Sequence, residues 1–377
     1  MQRVRSHAPE AATPPHVKRF LDLRGVVPAI APPLPVTEVL AQAAEHDDGR
    51  DDALARHLLA NRYRLPERNL VLLRDIDQAL SKLVAQIEGP VIVFPPSDLQ
   101  AVDTAVLGDR EVVSIARGVA RDGIISVDTA SDLPHGGVAV IASPGNPLGN
   151  VLVPNDAVRL ARSCRWLIID ERFTDYAGQS LLNVANEFSN VIVVRSFQAN
   201  LGEIGARAGW AAGSSQASKL LSQVATDLPP GFAQAVLAHD SSKHAGRMHI
   251  AQSRDERSRL YRALRKLSYV QPLPSWGPFV AARIEIGDRE TFVALLAASG
   301  IQVHTPAQPG LDRYVRIGIG TRSAMEHLRR SLIEIAPEML GPELPCGGGD
   351  TNRLPLRSEE FGEPQFGEVK QRGQRCA

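Results

Sequence analysis

Runs of apolar, largely β-branched residues alternate with segments of helical periodicity through the middle of the chain. The runs are PVIVFP (90–95), EVVSIA (111–116), GVAVIASP (137–144), RWLIIDE (165–171) and NVIVVRSF (190–197). Continuous apolar runs of this length are typical of strands buried on both faces, and the intervening PNDAVRLARSC has helical spacing with a start at Pro154 and Asn155. The pattern predicts an α/β fold, a mainly parallel sheet with crossover helices.

The pattern changes after a predicted helix at residues 254–267. The later segments read GPFVAARIEI, RETFVALLAASG, IQVHT, YVRIGIG and MEHLRRSLIEIA. Strands and helices mixed in this way predict a second, smaller α+β domain. The first 35 residues are rich in Pro, Ala and charge, and the residues from Gly341 onward are rich in Gly, Pro and charge. Both compositions are typical of unpacked segments. We therefore expect an N-terminal arm at residues 1–35, a large doubly wound domain at 36–240, a small C-terminal domain at 241–340 and a disordered tail at 341–377.

The composition is that of an ordinary globular protein, with 44% hydrophobic and 22% charged residues among 377. Forty-two Lys and Arg balance 42 Asp and Glu, so no net field favours nucleic acid or an anionic membrane. No run reaches the roughly 18 apolar residues of a membrane span, and the start lacks the apolar core of a signal peptide. Cys164, Cys346 and Cys376 follow no disulfide or zinc spacing. We expect a cytoplasmic protein whose partner is a small molecule or another protein.

Polar residues follow three of the predicted strands. Asn146 lies in SPGNPLG after the third run, Asp170 ends the fourth, and Ser196 ends the fifth with Arg207 beyond it. The carboxyl ends of strands in doubly wound sheets are where ligands bind. Each residue also has a simple structural explanation as a turn residue, a capping residue or a member of a surface ion pair. The combination carries more information than any single member.

The order and spacing of these residues resemble the class I/II aminotransferases, the fold type I family that depends on pyridoxal phosphate, and within it the histidinol-phosphate aminotransferase branch. The resemblance covers about residues 22–336. The family's motifs are Asn-Pro-x-Asn-Pro-Thr-Gly, Asp-Glu-Ala-Tyr, Ser/Thr-x-Ser-Lys with an arginine eight residues after the lysine, and Arg-Ile-x-x-Gly. In the same order, the matching stretches here are Ser143–Gly149, Asp170–Phe173, Ser196–Ala199 with Arg207, and Arg316–Gly320.

The resemblance implies a large domain with the cofactor site, a smaller domain that closes over it, and a homodimer. Asp170 would face the pyridine nitrogen of pyridoxal 5′-phosphate and keep it protonated, which makes the ring an electron sink. Asn146 would donate to the ring phenolate, and Ser196 and Arg207 would hold the phosphate. Arg316 would bind the carboxylate of an amino acid or oxo acid substrate.

The chain departs from the family's pattern at several positions. Ala199 stands where the family has the lysine that binds the cofactor covalently and moves the substrate proton, and alanine can do neither. Phe173 stands at the family's cofactor-bonding tyrosine, so the ring remains among the cofactor contacts without its hydroxyl. Further departures affect the phosphate-binding turn, the residue stacked on the ring and the segment that reaches across the dimer, at Asp75 and Ile76, Asp98, and His46–Asp48 respectively.

Two functional hypotheses from different classes remain open. In the first, the protein binds pyridoxal or pyridoxamine phosphate non-covalently and acts, if at all, on an amino acid carboxylate, without ordinary transamination. In the second, it is a catalytically inactive relative that serves as a binding or regulatory partner. The retained polar set supports the first, and the clustered losses support the second, so the sequence does not decide whether the protein is an enzyme.

Other site types lack their sequence motifs. No Gly-x-Gly-x-x-Gly follows the first predicted strand, and no Gly-x-x-x-x-Gly-Lys-Ser/Thr is present, which argues against dinucleotide and P-loop sites. His244 and His249 do not have metal-ligand spacing and are interpreted as solvated. Lys219 and Lys243 lie well beyond the loop that holds Ala199, so neither is predicted to replace the missing lysine.

Overall fold

The structure is a computed structural model that describes residues 20–27, 34–43, 51–97, 109–115, 118–119, 125–126, 136–229 and 231–341. Its strands in chain order are β1 (Leu21–Leu23), β2 (Leu70–Leu73), β3 (Val91–Val93), β4 (Val112–Ser114), β5 (Gly118–Val119), β6 (Ile125–Ser126), β7 (Val138–Ala142), β8 (Trp166–Asp170), β9 (Val191–Ser196), β10 (Gly209–Gly213), β11 (Val270–Pro272), β12 (Phe279–Ile284), β13 (Ile301–Val303) and β14 (Tyr314–Gly318).

The α-helices are α1 (Leu34–Ala43), α2 (Asp51–Tyr63), α3 (Ile76–Gln86), α4 (Pro154–Ser163), α5 (Thr174–Ala177), α6 (Leu182–Glu187), α7 (Gln198–Leu201), α8 (Ala217–Leu221), α9 (Asp240–Arg265), α10 (Arg289–Ala298), α11 (Arg322–Glu334) and α12 (Ala336–Leu340). Short 3₁₀ turns occupy Glu67–Asn69 and Gly202–Gly205, and a π-helical turn occupies Ala233–Ala238. None of the helices in the described ranges is long and apolar enough to cross a membrane.

A seven-stranded sheet forms the larger part of the fold. Its strand order is β2-β10-β9-β8-β7-β3-β4, and all neighbouring pairs are parallel except those of β10, which is antiparallel to both β2 and β9. The five predicted apolar runs form β3, β4, β7, β8 and β9. The prediction of a mainly parallel α/β sheet is therefore confirmed.

The central strands are buried on both faces, which explains their continuous apolar sequence. Every residue of β7, β8 and β9 is buried. Alternate side chains enter one of two cores: Ile169 and Val193 lie in the core that contains α4 and α6, whereas Ile168 and Val194 lie in the core that contains α3. The helices therefore cover both faces of the sheet, the doubly wound arrangement that the sequence predicted.

The C-terminal unit is an antiparallel sheet, β11-β12-β14, packed against α9, α10 and α11. Strand β1 also belongs to this unit, because it pairs in parallel with β13 and buries Leu23 in the same core. Gly318 lies against this N-terminal segment so closely that a Cβ added there would stand 2.3 Å from the carbonyl oxygen of Gly25. The start and the end of the described chain are thus packed together.

Some predicted helices have different bounds in the structure, and some predictions concern residues that the structure does not describe. Helix α9 begins at Asp240 rather than at residue 254, and the last predicted helix is two helices, α11 and α12. The predictions for Asp98 and His46–Asp48, for most of the N-terminal arm and for nearly all of the tail lie outside the described residues. Cys164 is buried, and burial raises the pKa of its thiol to about 12.

A pair of carboxylates links α2 to the segment before the π-helical turn. Asp52 accepts a hydrogen bond from the Leu228 amide at 3.1 Å. Burial, and then the neighbouring Asp227, raise the pKa of Asp52 to about 6. Because the folded-state pKa is above the ordinary value, the folded protein holds a proton that the unfolded chain releases. The stabilisation from this group is therefore complete below about pH 4 and is lost as the pH rises through about 6.

Asp52→Asn should remove this pH dependence because the amide is neutral and can keep the contacts to Asp227 and Leu228. We expect the substitution to raise the free energy of unfolding by about 1 kcal/mol at pH 8, after allowing for solvent screening, and to have little effect at pH 4. Urea denaturation at the two pH values measures the difference. Asp240→Asn is the matched control, since that carboxylate is 97% exposed. A gain at pH 8 no larger than the control's would show that the two carboxylates do not repel each other.

Candidate functional site

All the predicted site residues except Arg316, which belongs to the C-terminal unit, lie at one edge of the large sheet. Strands β7, β8 and β9 are parallel and in register, with Ala142 opposite Asp170 and Asp170 opposite Val194. On the next strand Gly209 pairs with Ser196, and on its other side it pairs with Leu73 at the end of β2. This edge therefore receives the loop after β7, the carboxyl ends of β8 and β9, the segment before β10 and the start of α3.

The first cluster joins the loop after β7 to the C-terminal unit. The loop is held by hydrogen bonds from the Gly145 amide to the Asn150 carbonyl at 2.8 Å and from the Gly149 amide to the Gly145 carbonyl at 2.6 Å. The Asn146 carbonyl oxygen Oδ1 accepts a hydrogen bond from Nη1 of Arg316, a buried residue of β14. Nη2 of Arg316 donates to the carbonyl oxygen of Arg24 at 2.6 Å. Two predicted site residues thus contact each other directly.

The second cluster surrounds Asp170, which is 1% exposed. Its carboxylate accepts from the Arg172 backbone amide at 3.0 Å and from Arg172 Nε at 2.8 Å and 3.1 Å. Nη2 of the same arginine donates to Asp77 Oδ1, in the first turn of α3, at 2.7 Å. Burial raises the pKa of Asp170, and Arg172 opposes this rise. Although burial alone lowers it, the pKa of Arg172 is raised by the two carboxylates, so the guanidinium is a permanent cation.

The third cluster lies at the N-terminus of α3. Asp75 caps the helix by accepting from the Gln78 amide at 3.0 Å, and it also accepts from Arg207 Nη2 at 2.7 Å. The Ile76 amide donates to the Arg207 carbonyl at 2.9 Å, which fixes the two segments against each other. Burial raises the pKa of Asp75, but the Gln78 amide and Arg207 outweigh it and leave the pKa below its usual value. The anion at this helix end is a side chain of the protein itself.

The remaining predicted residues lie between these clusters. Ser196 is buried, and its hydroxyl donates to the Arg172 carbonyl at 2.9 Å. Phe173 packs edge-on against Phe279, with ring centroids 5.6 Å apart, and the Arg316 guanidinium lies 5.6 Å from the centroid of Phe279. Ala199 is 2% exposed on α7, a helix that packs against α9.

The sequence analysis missed two charged residues of the site, and it assigned the wrong exposure to one histidine. Arg172 and Asp77 were not predicted to take part in the site, although each occupies a position next to a predicted site residue. The interpretation of His249 as solvated is wrong. It is buried on α9 with its ring 5.8 Å from that of Tyr176, and burial lowers its pKa while the Ala199 backbone opposes this change. The buried face of the helix also contains small and polar residues such as Ser242 and Gly246, so the sequence shows no apolar periodicity there.

Comparison with known proteins identifies the family of this chain. A model of the class I and II aminotransferases matches residues 52–332. The chain belongs to the class I and II aminotransferase family. It is 26% identical to the histidinol-phosphate aminotransferase of Thermococcus gammatolerans over 287 residues, which cover 75% of this chain and 80% of the relative. It is 29% identical to the enzyme of the same name from Thermococcus kodakarensis over 273 residues, covering 71% and 77% of the two chains.

Solved structures share the fold of this aminotransferase-family chain. One is histidinol-phosphate aminotransferase from Sinorhizobium meliloti in complex with pyridoxal-5′-phosphate, with a TM-score of 0.70 and 20% identity over 84% of this chain and 90% of that one. The expected fold type I architecture is confirmed, and pyridoxal phosphate is the cofactor of the family. At this level of identity the likeness concerns the fold and carries no residue's role to this chain.

Proposed function

We propose that this aminotransferase-family chain binds pyridoxal or pyridoxamine phosphate non-covalently and does not carry out ordinary transamination. The observation that carries the proposal is the set of polar side chains at one edge of the large sheet, together with Arg316, which contacts that edge from β14. It combines a buried carboxylate, a hydroxyl, an amide and two arginines: Asp170, Ser196, Asn146, Arg207 and Arg316. A sheet needs its apolar strands, but it does not need this polar set. The chemistry of the set fits a planar, anionic, nitrogen-containing ring.

Each residue has a distinct role in the proposal. Asp170 would hold a proton on the ring nitrogen, and Asn146 would bond the ring oxygen. Ser196 and Arg207 would bind the phosphate near the N-terminus of α3. Arg316 would bind the carboxylate of an amino acid or oxo acid. When bound, the protonated ring would supply an electron sink for chemistry at the carbon next to that carboxylate.

The proposal excludes ordinary transamination because of Ala199. By resemblance, this position is that of the lysine that holds the cofactor and moves the substrate proton. A methyl group can neither form that link nor accept a proton, and general acid–base catalysis alone is worth about 10²–10⁴ in rate. Phe173 likewise lacks the hydroxyl of the tyrosine that the family pattern has. The resemblance further supports a homodimer, which sedimentation of the purified protein would test.

Calorimetric titration with pyridoxal phosphate and pyridoxamine phosphate tests the proposal. We expect one molecule per chain to bind, and we expect Asp170→Asn to weaken binding because the amide cannot hold the ring proton. Asp240→Asn, at an exposed carboxylate on α9, is the matched control and should bind as the unaltered protein does. We expect no amino-group transfer from histidinol phosphate or common amino acids. Transfer that depends on Asp170 would contradict the loss of transamination, whereas failure to bind either form of the cofactor would contradict the whole proposal.

A second candidate is a binding or regulatory protein without catalysis, and one observation favours it. The protein's own charged groups already pair with two of the proposed cofactor contacts, Arg172 with Asp170 and Asp75 with Arg207. In an inactive relative such ion pairs would have no functional cost, because no cofactor has to displace them. Absence of cofactor binding in the titration, together with a folded protein, would favour this second candidate.

A further inference from the structure

Arg172 fills most of the hydrogen-bonding positions of the Asp170 carboxylate, the group to which the ring nitrogen of the cofactor would bond. Three hydrogen bonds from Arg172 reach Asp170, and both carboxylate oxygens accept at least one of them. The donors are the N–H groups of the backbone and of the cationic guanidinium, and a protonated ring nitrogen would likewise donate an N–H hydrogen bond. Because Asp170 is 1% exposed, water does not offer the carboxylate an easy alternative. A carboxylate has about four acceptor positions, so with the guanidinium in place a ring nitrogen has only about one of them left at Asp170.

The position of Arg172 is fixed from several sides. Its side chain is 20% exposed and bridges Asp170 to Asp77, at 2.8 Å and 2.7 Å. The Ser196 hydroxyl donates to its carbonyl oxygen at 2.9 Å. The bridge spans from the end of β8 to the first turn of α3, so it crosses the edge at which the proposed cofactor contacts are gathered. The guanidinium is therefore an ordered part of the site and not a surface side chain that happens to lie near it.

The short sequence separation makes Arg172 a strong competitor. Asp170 and Arg172 are two residues apart, so the guanidinium meets the carboxylate at an effective concentration on the order of millimolar or higher. A cofactor in free solution competes against that internal partner. The covalent lysine of the family would offset such competition, but Ala199 provides no link.

The other internal ion pair at the proposed cofactor contacts, between Asp75 and Arg207, is weaker. Asp75 and Arg207 contact each other at 2.7 Å, but the Arg207 side chain is 75% exposed. An ion pair this exposed contributes little to stability, so phosphate can displace it readily. The buried contact at Asp170 is therefore the one that limits binding.

We propose that Arg172 is an internal counter-ion that competes with the ring nitrogen of the cofactor for Asp170 and thereby sets the cofactor affinity of the site. This inference rests on the proposed function and assigns a role to a residue for which the family pattern has alanine. When the cofactor binds, the guanidinium leaves Asp170 and keeps its bond to Asp77. Arg172 is thus an affinity-determining residue, not a catalytic one.

Calorimetric titration of Arg172→Ala with pyridoxal phosphate tests the role. We expect at least a 10-fold lower dissociation constant than in the unaltered protein, because Asp170 is released from its internal partner. Arg172→Gln keeps more of the side-chain volume and polarity and guards against misfolding of the alanine variant; it should show a smaller gain in the same direction. Arg159→Ala is the matched control, an arginine on α4 that pairs with Asp156 away from the site, and it should leave the affinity unchanged. Thermal unfolding confirms that each variant is folded.

A cofactor analogue distinguishes competition for Asp170 from simple crowding. In this analogue a C–H group replaces the ring nitrogen, so it cannot bond Asp170. We expect Arg172→Ala to improve its binding by less than about threefold, while pyridoxal phosphate gains 10-fold or more. Equal gains for both compounds would overturn the proposal, because Arg172 would then act by bulk alone.

Two further outcomes separate this inference from the proposed function. If the unaltered protein binds pyridoxal phosphate and both Arg172 variants bind it equally well, the inference is overturned and the proposed function stands. If no variant binds the cofactor, both are overturned.

Discussion

The double substitution Ala199→Lys, Arg172→Ala should convert the chain into a protein that retains pyridoxal phosphate covalently. The lysine supplies the missing attachment, and removal of Arg172 frees Asp170 for the ring nitrogen. We expect close to one cofactor per chain to remain attached through borohydride reduction and denaturation. Ala199→Lys alone should retain at least several-fold less at the same micromolar cofactor concentration, since the guanidinium still holds Asp170. Mass spectrometry of the intact protein measures the attached fraction, and peptide mapping locates it.

Pyridoxal phosphate also reacts with exposed lysines, so the labelling needs a control. Gln216→Lys places a new lysine at an exposed position next to α8, outside the sheet edge that forms the site. It should add only the background labelling of a surface amine. Labelling of the double variant at residue 199 no stronger than that of residue 216 would show that Ala199 does not occupy the lysine position.

Glu256→Gln should lower the free energy of unfolding by about 3 kcal/mol, the largest stability effect that we expect from a single charge. Glu256 is 1% exposed on α9 and lies 2.8 Å from Arg329, 3.5 Å from Arg322 and 4.0 Å from Arg259. Removing one partner of a buried ion pair costs about 3–5 kcal/mol because the remaining charges are left uncompensated. Partial exposure of the arginines places the expected loss at the lower end. Urea denaturation at pH 7 measures it.

The neighbouring Asp255 provides the matched control. Its side chain is 49% exposed, and it pairs with the same Arg259 at 3.0 Å. Asp255→Asn should change the free energy of unfolding by less than about 1 kcal/mol, as is usual for exposed ion pairs. Equal effects of the two substitutions would show that burial does not determine the strength of this cluster.

The large sheet could be predicted because its central strands are buried on both faces and therefore read as continuous apolar runs. Two strands of this sheet, β2 and β10, were not predicted. Strand β10 reads GWAAG, in which glycine and alanine give little strand signal. The first half of α9 was missed for a related reason: its buried face contains Ser242, Gly246, His249 and Ser253 rather than large apolar residues, so no apolar periodicity marks it. Small buried residues permit close packing without leaving a hydrophobic pattern.

The location of the candidate site followed from the topology, but its internal pairing did not. Residues after parallel strands meet at one edge of a sheet, so Asn146, Asp170 and Ser196 could be grouped from the sequence alone. The ion pairs that hold the edge join residues distant in sequence. Arg207 and Asp75 are 132 residues apart, and Arg172 and Asp77 are 95 apart. Which charge meets which therefore depends on side-chain positions that one sequence does not specify.

The pairing of β1 with β13 means that the C-terminal unit is not a continuous piece of the sequence. Leu23 completes its core, and the carbonyl of Arg24 accepts a hydrogen bond from Arg316. A fragment cut at the start of α9 would lack a strand of its own sheet and would expose an unpaired edge. A deletion or an affinity tag placed just before β1 would disturb Arg316, the residue proposed to bind the substrate carboxylate. Nearly 300 positions separate Arg24 from Arg316 along the chain. The natural boundary for dissecting this protein therefore follows its packing and not its linear order.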